Sequence, residues 1–202
     1  MSKINTDAVE PSTGTTLTLG ASGDTVDIPS GATIDATGAT ITGWPSGGLS
    51  HASQWRITSN FTGSQDPISS NFEEVDTDGY GRLGSAMTES SGVFTFPATG
   101  YWRVDAQFFF TIENTDSRFG GADIQVSTDS ASSWSQASSA NASMYSSGAS
   151  YALVYVTHQI DVTSTSTHKV RFTVWQEDSN TYIQGNSGHT FTGFTFTHLG
   201  DT

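Results

Sequence analysis

Hydrophobic and polar residues alternate along most of this chain, and the clearest example is residues 91–110, SGVFTFPATGYWRVDAQFFF. Phe94 and Phe96 alternate with Val93 and Thr95, then Pro97-Ala98-Thr99-Gly100 interrupts the run. A second alternating run, Tyr101 to Phe108, follows at once. Period-2 alternation is what a half-buried strand needs, and Pro/Gly punctuation between two such runs marks a tight corner. The same reading predicts strands over 54–59, 72–75, 82–87, 93–96, 101–112, 122–127, 133–139 continuing towards 145, 151–162, 168–177 and 190–199. No long segment shows a 3.6-residue period, so the fold expected is all-β: a two-sheet antiparallel sandwich with jelly-roll winding.

The pattern changes before residue 49. Residues 1–15 are polar and predict a flexible attachment arm. From Thr16 to Gly43 the apolar residues are sparse, there are no aromatics, and Ile28, Ile34 and Ile41 recur with Gly31 and Gly38 between them. A lone chain of this composition buries too little apolar surface to offset the entropy of ordering it. Three chains wound together could, with each isoleucine facing its own copies. We therefore expect 16–48 to be a Gly/Thr-rich trimeric β-stalk and hinge, with a flexible linker as the competing reading, and 49–202 to be a packed head. Gly43-Trp44-Pro45-Ser46-Gly47-Gly48 marks the boundary.

Composition narrows the function classes. Charged residues are only 13% and the net charge is −13, while the seven Lys and Arg residues stand singly. Phosphate binding needs clustered cations, so no nucleic-acid partner is expected. There is no cysteine, hence no disulfide framework or Cys-ligated zinc. The start of the chain lacks the apolar core of an export signal, and no apolar run approaches a membrane span, so neither standard export nor membrane insertion is expected.

Two stretches carry a family resemblance. Gly92-Val93-Phe94-Thr95-Phe96-Pro97 with Gly100-Tyr101 resembles the opening signature of the C1q/tumour-necrosis-factor jelly roll. His189-Thr190-Phe191-Thr192-Gly193-Phe194-Thr195-Phe196 resembles that family's closing strand. Asp78-Gly79-Tyr80 sits where the family has an Asn/Asp-Gly turn before an aromatic, but the spacing from there to Gly92 is longer than usual. The resemblance implies a C1q/TNF-like homotrimer, with Phe191, Phe194 and Phe196 beside its axis, while the isoleucine spacing puts Ile28, Ile34 and Ile41 along the axis of the expected stalk. Residues 17–33, 66–71, 74–79 and 84–97 together also resemble structural proteins of marine, cyanophage-type bacteriophages. This second resemblance implies a virion fibre, spike or surface decoration.

Candidate chemistry is sparse, and we expect no enzyme. Glu74, Asp76 and Asp78 sit in the densest carboxylate cluster, and Asp76-x-Asp78-Gly79 has the spacing of part of a calcium loop. A solvated acidic turn is expected there, and Ca²⁺, the one cofactor this cluster would admit, is the alternative. Residues 127–134, STDSASSW, resemble an Asp-box hairpin, which is structural. Gly185-Asn186-Ser187-Gly188 resembles the surroundings of a serine nucleophile without the rest of a triad, so a turn is expected there.

Recognition would then rest on loops rich in Tyr, Ser and Asn. The candidates are Tyr145, Tyr151, Glu177, Asp178, Asn180 and Tyr182, facing a host surface glycan or protein. The expected whole is a non-enzymatic trimeric tail-fibre-type protein on the virion surface, joined to another virion protein through its N-terminal arm. A capsid decoration or head-fibre protein is the alternative, and a glycan-processing enzyme a lesser one.

Overall fold

The structure is a computed structural model that describes residues 11, 13–16, 18, 21–35, 37, 49–113, 117–144 and 149–202. The chain divides into two units, Met1–Pro45 and Ser46–Thr202. In the first, the described residues form turns and no strand. Backbone bonds from Asp24 N–H to the Ala21 carbonyl and from Ala32 N–H to the Pro29 carbonyl, both 3.0 Å, close two turns. Gly23 and Gly31 supply the positive φ of each, eight residues apart. Val26, Ile28 and Ile34 are exposed. Ile41 lies outside the described residues.

The second unit is all-β. Its strands are β1 (Ala52–Ile57), β2 (Phe61–Thr62), β3 (Phe72–Glu74), β4 (Thr88–Ser90), β5 (Val93–Thr95), β6 (Gly100–Ile112), β7 (Phe119–Ser127), β8 (Ser135–Ser143), β9 (Ser150–Val162), β10 (Lys169–Gln176), β11 (Tyr182–Ile183) and β12 (Gly193–Gly200). Every pairing between them is antiparallel. Sheet A carries β9 on one edge of β6, with β12 and β11 end to end on the other edge, then β1 and β2, then β3. Sheet B runs β4-β5-β10-β7-β8. The chain passes between sheets at β3–β4, β5–β6, β6–β7, β8–β9, β9–β10 and β10–β11, which is jelly-roll winding.

The first corner forms as its residues dictate. Ser91 and Gly92, both at positive φ, make the two-residue hairpin between β4 and β5. A Cβ on Gly92 would lie 2.0 Å from the Ile68 carbonyl oxygen, so no other residue fits there. The alternation of β6 then sends Trp102, Val104, Ala106, Phe108, Phe110 and Ile112 inward. The sheets are joined by aromatic contacts across the sandwich: the Phe172 and Phe194 rings are 4.2 Å apart, and Phe94 and Phe196 are 5.1 Å apart. Each such pair contributes about 1 kcal/mol beyond its buried area.

Some expectations need correction. Phe194 and Phe196 are buried between the sheets, so they cannot line a trimer axis; Thr195 and Thr197 on the same strand face the other way. Residues 82–87 form no strand. Gly84 turns the chain at positive φ there, leaving one bridge between Leu83 and Ala52, and the paired segment is β4. The 127–134 segment is the β7–β8 hairpin: the Asp129 carboxylate accepts from Ser127 Oγ and from Ser133 Oγ and N–H, which lowers its pKa to about 2. Asn186 Oδ1 accepts from the N–H groups of Gly188 and His189, making the expected turn.

Arg56 is buried on the outward side of β1 beneath the 73–80 loop, only 1% exposed. Its guanidinium donates to Glu73 (2.6 Å), Asp76 (2.7 Å) and Thr77 Oγ1 (2.9 Å). Removing one partner of a buried charge leaves it under-compensated. Glu73→Ala should therefore cost about 3 kcal/mol of stability, read as a shift in the urea midpoint with an unchanged slope.

Candidate functional site

The outward residues of β6 and β9 share one face of sheet A. On β9 they include Tyr151, Leu153 and Tyr155, which are 60%, 56% and 50% exposed, although they lie in regular strand. Tyr101 on β6 and Leu199 on β12 are also exposed on this sheet. Phe109 sits in the same face, its ring 5.9 Å from that of Tyr151 and 5.3 Å from that of Phe191. His189 stands edge-on to Phe191 at 4.5 Å. The result is a partly exposed aromatic and aliphatic band on the outer face of sheet A.

Tyr151 and Tyr182 both pair with Thr111, from opposite edges of β6. The register puts the three side chains in one row, with the Thr111 hydroxyl buried and without a hydrogen-bond partner. Tyr182 donates its phenol to Glu113 at 2.8 Å, and this bond raises the phenol's pKa.

Further along the band, Tyr155 donates its phenol to Asp105, which also accepts from Arg103 Nε at 3.0 Å. Burial pushes the Asp105 pKa up, but hydrogen bonds from Tyr155, Thr157 and Arg103 together hold it below the ordinary carboxylate value. Arg103 and Asp105 are thus paired locally, and towards the far end of β9 the face turns polar through the exposed Thr157, Gln159 and Asp161.

The loop residues expected to act together are dispersed. Tyr151 and Tyr182 meet across Thr111, whereas Glu177 pairs with Arg118 beside sheet B. Asp178 and Asn180 belong to the turn between β10 and β11, where Asn180 N–H donates to Asp178 Oδ1 at 2.7 Å. Tyr145 lies outside the described residues. Phe191, unlike its two neighbours on the closing strand, contributes to the outward band. Leu153, Tyr155 and Tyr101 escaped sequence reasoning, although apolar residues on both faces of one strand were a usable signal.

The acidic cluster is likewise not gathered into one site. Asp76 serves Arg56, while Glu74 accepts from Tyr80 (3.0 Å) and Arg82 (3.1 Å). Among the described residues, no group of three His, Cys, Asp or Glu could hold a metal ion. No basic partner is bonded to Ser187 among the described residues, so the sequence around it assembles no triad there.

No protein-family model matches the chain. No curated protein is similar to it in sequence. Solved structures do share its fold. Murine APRIL at pH 5.0 aligns with TM-score 0.52 and 11% identity, over 74% of this chain and 98% of APRIL. Eiger TNF from S. frugiperda aligns with TM-score 0.51 and 11% identity, over 75% of this chain and 93% of Eiger. The chain therefore has a C1q/TNF-like antiparallel jelly roll; identities this low speak to fold alone.

The Asp105 clamp has a definite pH signature. A carboxyl whose folded pKa is depressed contributes stability above its unfolded value, about 3.9, and loses it as pH falls through the folded value. Asp105→Asn should lower stability by about 1 kcal/mol at neutral pH. It should narrow the gap from wild type at pH 3, as read by thermal melts at the two pH values.

Proposed function

We propose that this chain is a non-enzymatic structural protein of a virus particle. In this reading it is a tail-fibre-type component that assembles as a homotrimer and presents its jelly-roll head to a host surface. The observation that carries the reading is the exposed row Tyr151, Leu153 and Tyr155 on the outer face of sheet A. Folded monomers rarely leave contiguous apolar surface of this kind unless a partner covers it. Burying one such side chain against a neighbouring copy contributes about 1.5–3 kcal/mol, which several side chains per interface multiply against the entropy cost of association.

A second copy is the occupant favoured by charge. Arg103 and Asp105 are already paired beside the apolar row, so the exposed carboxylate left to repel a second copy on β9 is Asp161, at the strand's far end from Tyr151. The N-terminal unit supports the same reading. Its exposed Val26, Ile28 and Ile34 gain from winding with two other copies, and its eight-residue turn spacing suits a repeating stalk. The phage assignment rests on the sequence resemblance over residues 17–33, 66–71, 74–79 and 84–97. The absence of cysteine agrees with assembly in a reducing cytoplasm.

Light scattering on the full chain should give three times the 21.4 kDa chain mass. Leu153→Asp should shift the mass to that of one chain while the far-ultraviolet circular dichroism stays all-β; a monomeric wild type would sink the trimer. Labelling of intact particles should mark tail fibres, and label confined to the capsid would replace the fibre reading with shell decoration.

The stalk is tested separately. Ile34→Asp would bring three carboxylates together, and it should lower the melting temperature of the trimer. Unchanged melting would mean that residues 16–48 are a linker.

A further inference from the structure

We propose that the outer face of sheet B carries a binding site for a neutral saccharide, with the Trp175 indole as its floor. This deepens the host-surface part of the reading above and rests on it for its biological setting; its chemistry depends on neither trimer nor virion. Trp175 on β10 pairs with Gly121 on β7. A Cβ on Gly121 would fall 2.2 Å from Cζ2 and 2.4 Å from Cε2 of the indole. The missing side chain is therefore what allows the ring to lie against the strand. Phe119 stands beside it, ring centroids 5.8 Å apart at 61°.

Polar groups border this floor on the same face. Asn141 pairs with Gly121 and Ser143 with Phe119, so the pleat puts both side chains next to the aromatics. Neither side chain has a hydrogen-bond partner among the described residues. On the remaining side, Glu177 is held by Arg118, whose backbone N–H and Nε each donate to it at 2.7 Å. Arg118, Phe119, Asn141, Ser143 and Trp175 line an open concavity of about 370 Å³, within the range of small-ligand sites.

A partly exposed ring bordered by an amide, a hydroxyl and a fixed ion pair matches the two kinds of surface on a pyranose. The sugar's C–H face lies on the indole and its hydroxyls reach the border. The local charges cancel, and the chain carries −13 overall, so a neutral sugar is favoured over an anionic one. Nucleic acid could stack on the same ring, but its phosphates would meet a repulsive field.

The face also has length. Arg171 lies over the Trp134 ring, 4.4 Å from its centroid, and is four residues from Trp175 along β10. That separation is about 13 Å, enough for an oligosaccharide to run between the two indoles. Between them, Asp123 accepts from Thr173 at 2.9 Å and from Gln136 at 2.8 Å, a polar strip already satisfied within the protein. Sheet B lies opposite the face proposed for self-association, so a trimer would display three copies of the site, and weak single-site binding would gain by avidity.

The test titrates the full-length protein, its mass checked by light scattering, with chitohexaose, cellohexaose, mannohexaose, laminarin and dextran. Saturation-transfer NMR and tryptophan fluorescence report binding, with heparin and oligodeoxythymidylate as anionic controls. At least one neutral saccharide should bind with a per-site Kd of about 1 mM or tighter, with saturation strongest on ring C–H protons. Trp175→Ala should weaken it by about tenfold or more, and the Asn141→Ala, Ser143→Ala double variant should weaken it less, with mass and circular dichroism unchanged.

Three results would overturn the site: no neutral saccharide of the panel binding, Trp175→Ala binding as wild type does, or the anionic controls binding equally well. A monomer that binds sugar would fail the assembly proposal alone, and a trimer that ignores sugar would fail this one alone.

Discussion

Everything in the head depends on the register of β6. It is thirteen residues long and paired on both edges: β9 runs beside its whole length, and β12 and β11 share the other side. A slip of one residue would exchange its faces. Trp102, Phe108 and Phe110 would then enter solvent, and Arg103 and Asp105 would enter the core. The join between β12 and β11 is where the ladder could fail. There Thr192 Oγ1 accepts from the Phe109 N–H at 3.1 Å, and the Phe109 carbonyl accepts from Gln184 N–H at 2.9 Å. Gln107 is fixed nearby, donating to the Phe191 carbonyl at 2.8 Å. The register that seals the core thereby sets which residues the outside of sheet A presents.

The two outer faces follow different chemistry. Sheet A presents a band of tyrosine, leucine and phenylalanine, whereas sheet B presents separate aromatic rings among polar side chains. Ion pairing explains how a chain of this charge keeps both faces usable. All five arginines, Arg56, Arg82, Arg103, Arg118 and Arg171, are paired with carboxylates. Lys169, the lysine among the described residues, donates instead to Thr95 Oγ1 and the Thr165 carbonyl, and it stands without a second unpaired cation to form a basic patch. An acidic, weakly charged surface of this sort limits unspecific adhesion.

Strong alternation was legible in sequence wherever burial on one face decided residue choice. That covers β5, β6, β9, β10 and β12, and with them the sandwich itself. The shortest elements were not. β2 and β11 have two residues each, too few to alternate, and the start of β7 is hidden by Gly120 and Gly121. Direction was harder than existence. Phe191, Phe194 and Phe196 look alike in sequence, yet only Phe191 belongs to the outward band, because it precedes the strand whose pleat buries the other two. The carboxylates of 73–78 look like one cluster, but Arg56, some twenty residues upstream, and Arg82 draw them to separate partners. Trp175 and Gly121 are 54 residues apart, and nothing local marks either as half of a platform.

The same physical deficit appears in both units and argues for one remedy. Val26, Ile28 and Ile34 in the first unit, and Tyr151, Leu153 and Tyr155 in the second, are exposed in a single chain. Self-association would relieve both, and the opposing term is the repulsion of chains that each carry −13. At physiological ionic strength the Debye length is about 8 Å, so repulsion between copies is confined to carboxylates close to the contact. On sheet A the partly buried carboxylate beside the band, Asp105, already accepts from Tyr155 and Arg103. In the first unit Asp24 and Asp35 are turned back onto their own turns, accepting from the N–H groups of Ala21 and Thr37. The exposed carboxylates nearest the apolar residues, Asp27 between Val26 and Ile28 and Asp161 opposite Tyr101, are the local repulsion that such contacts would have to offset.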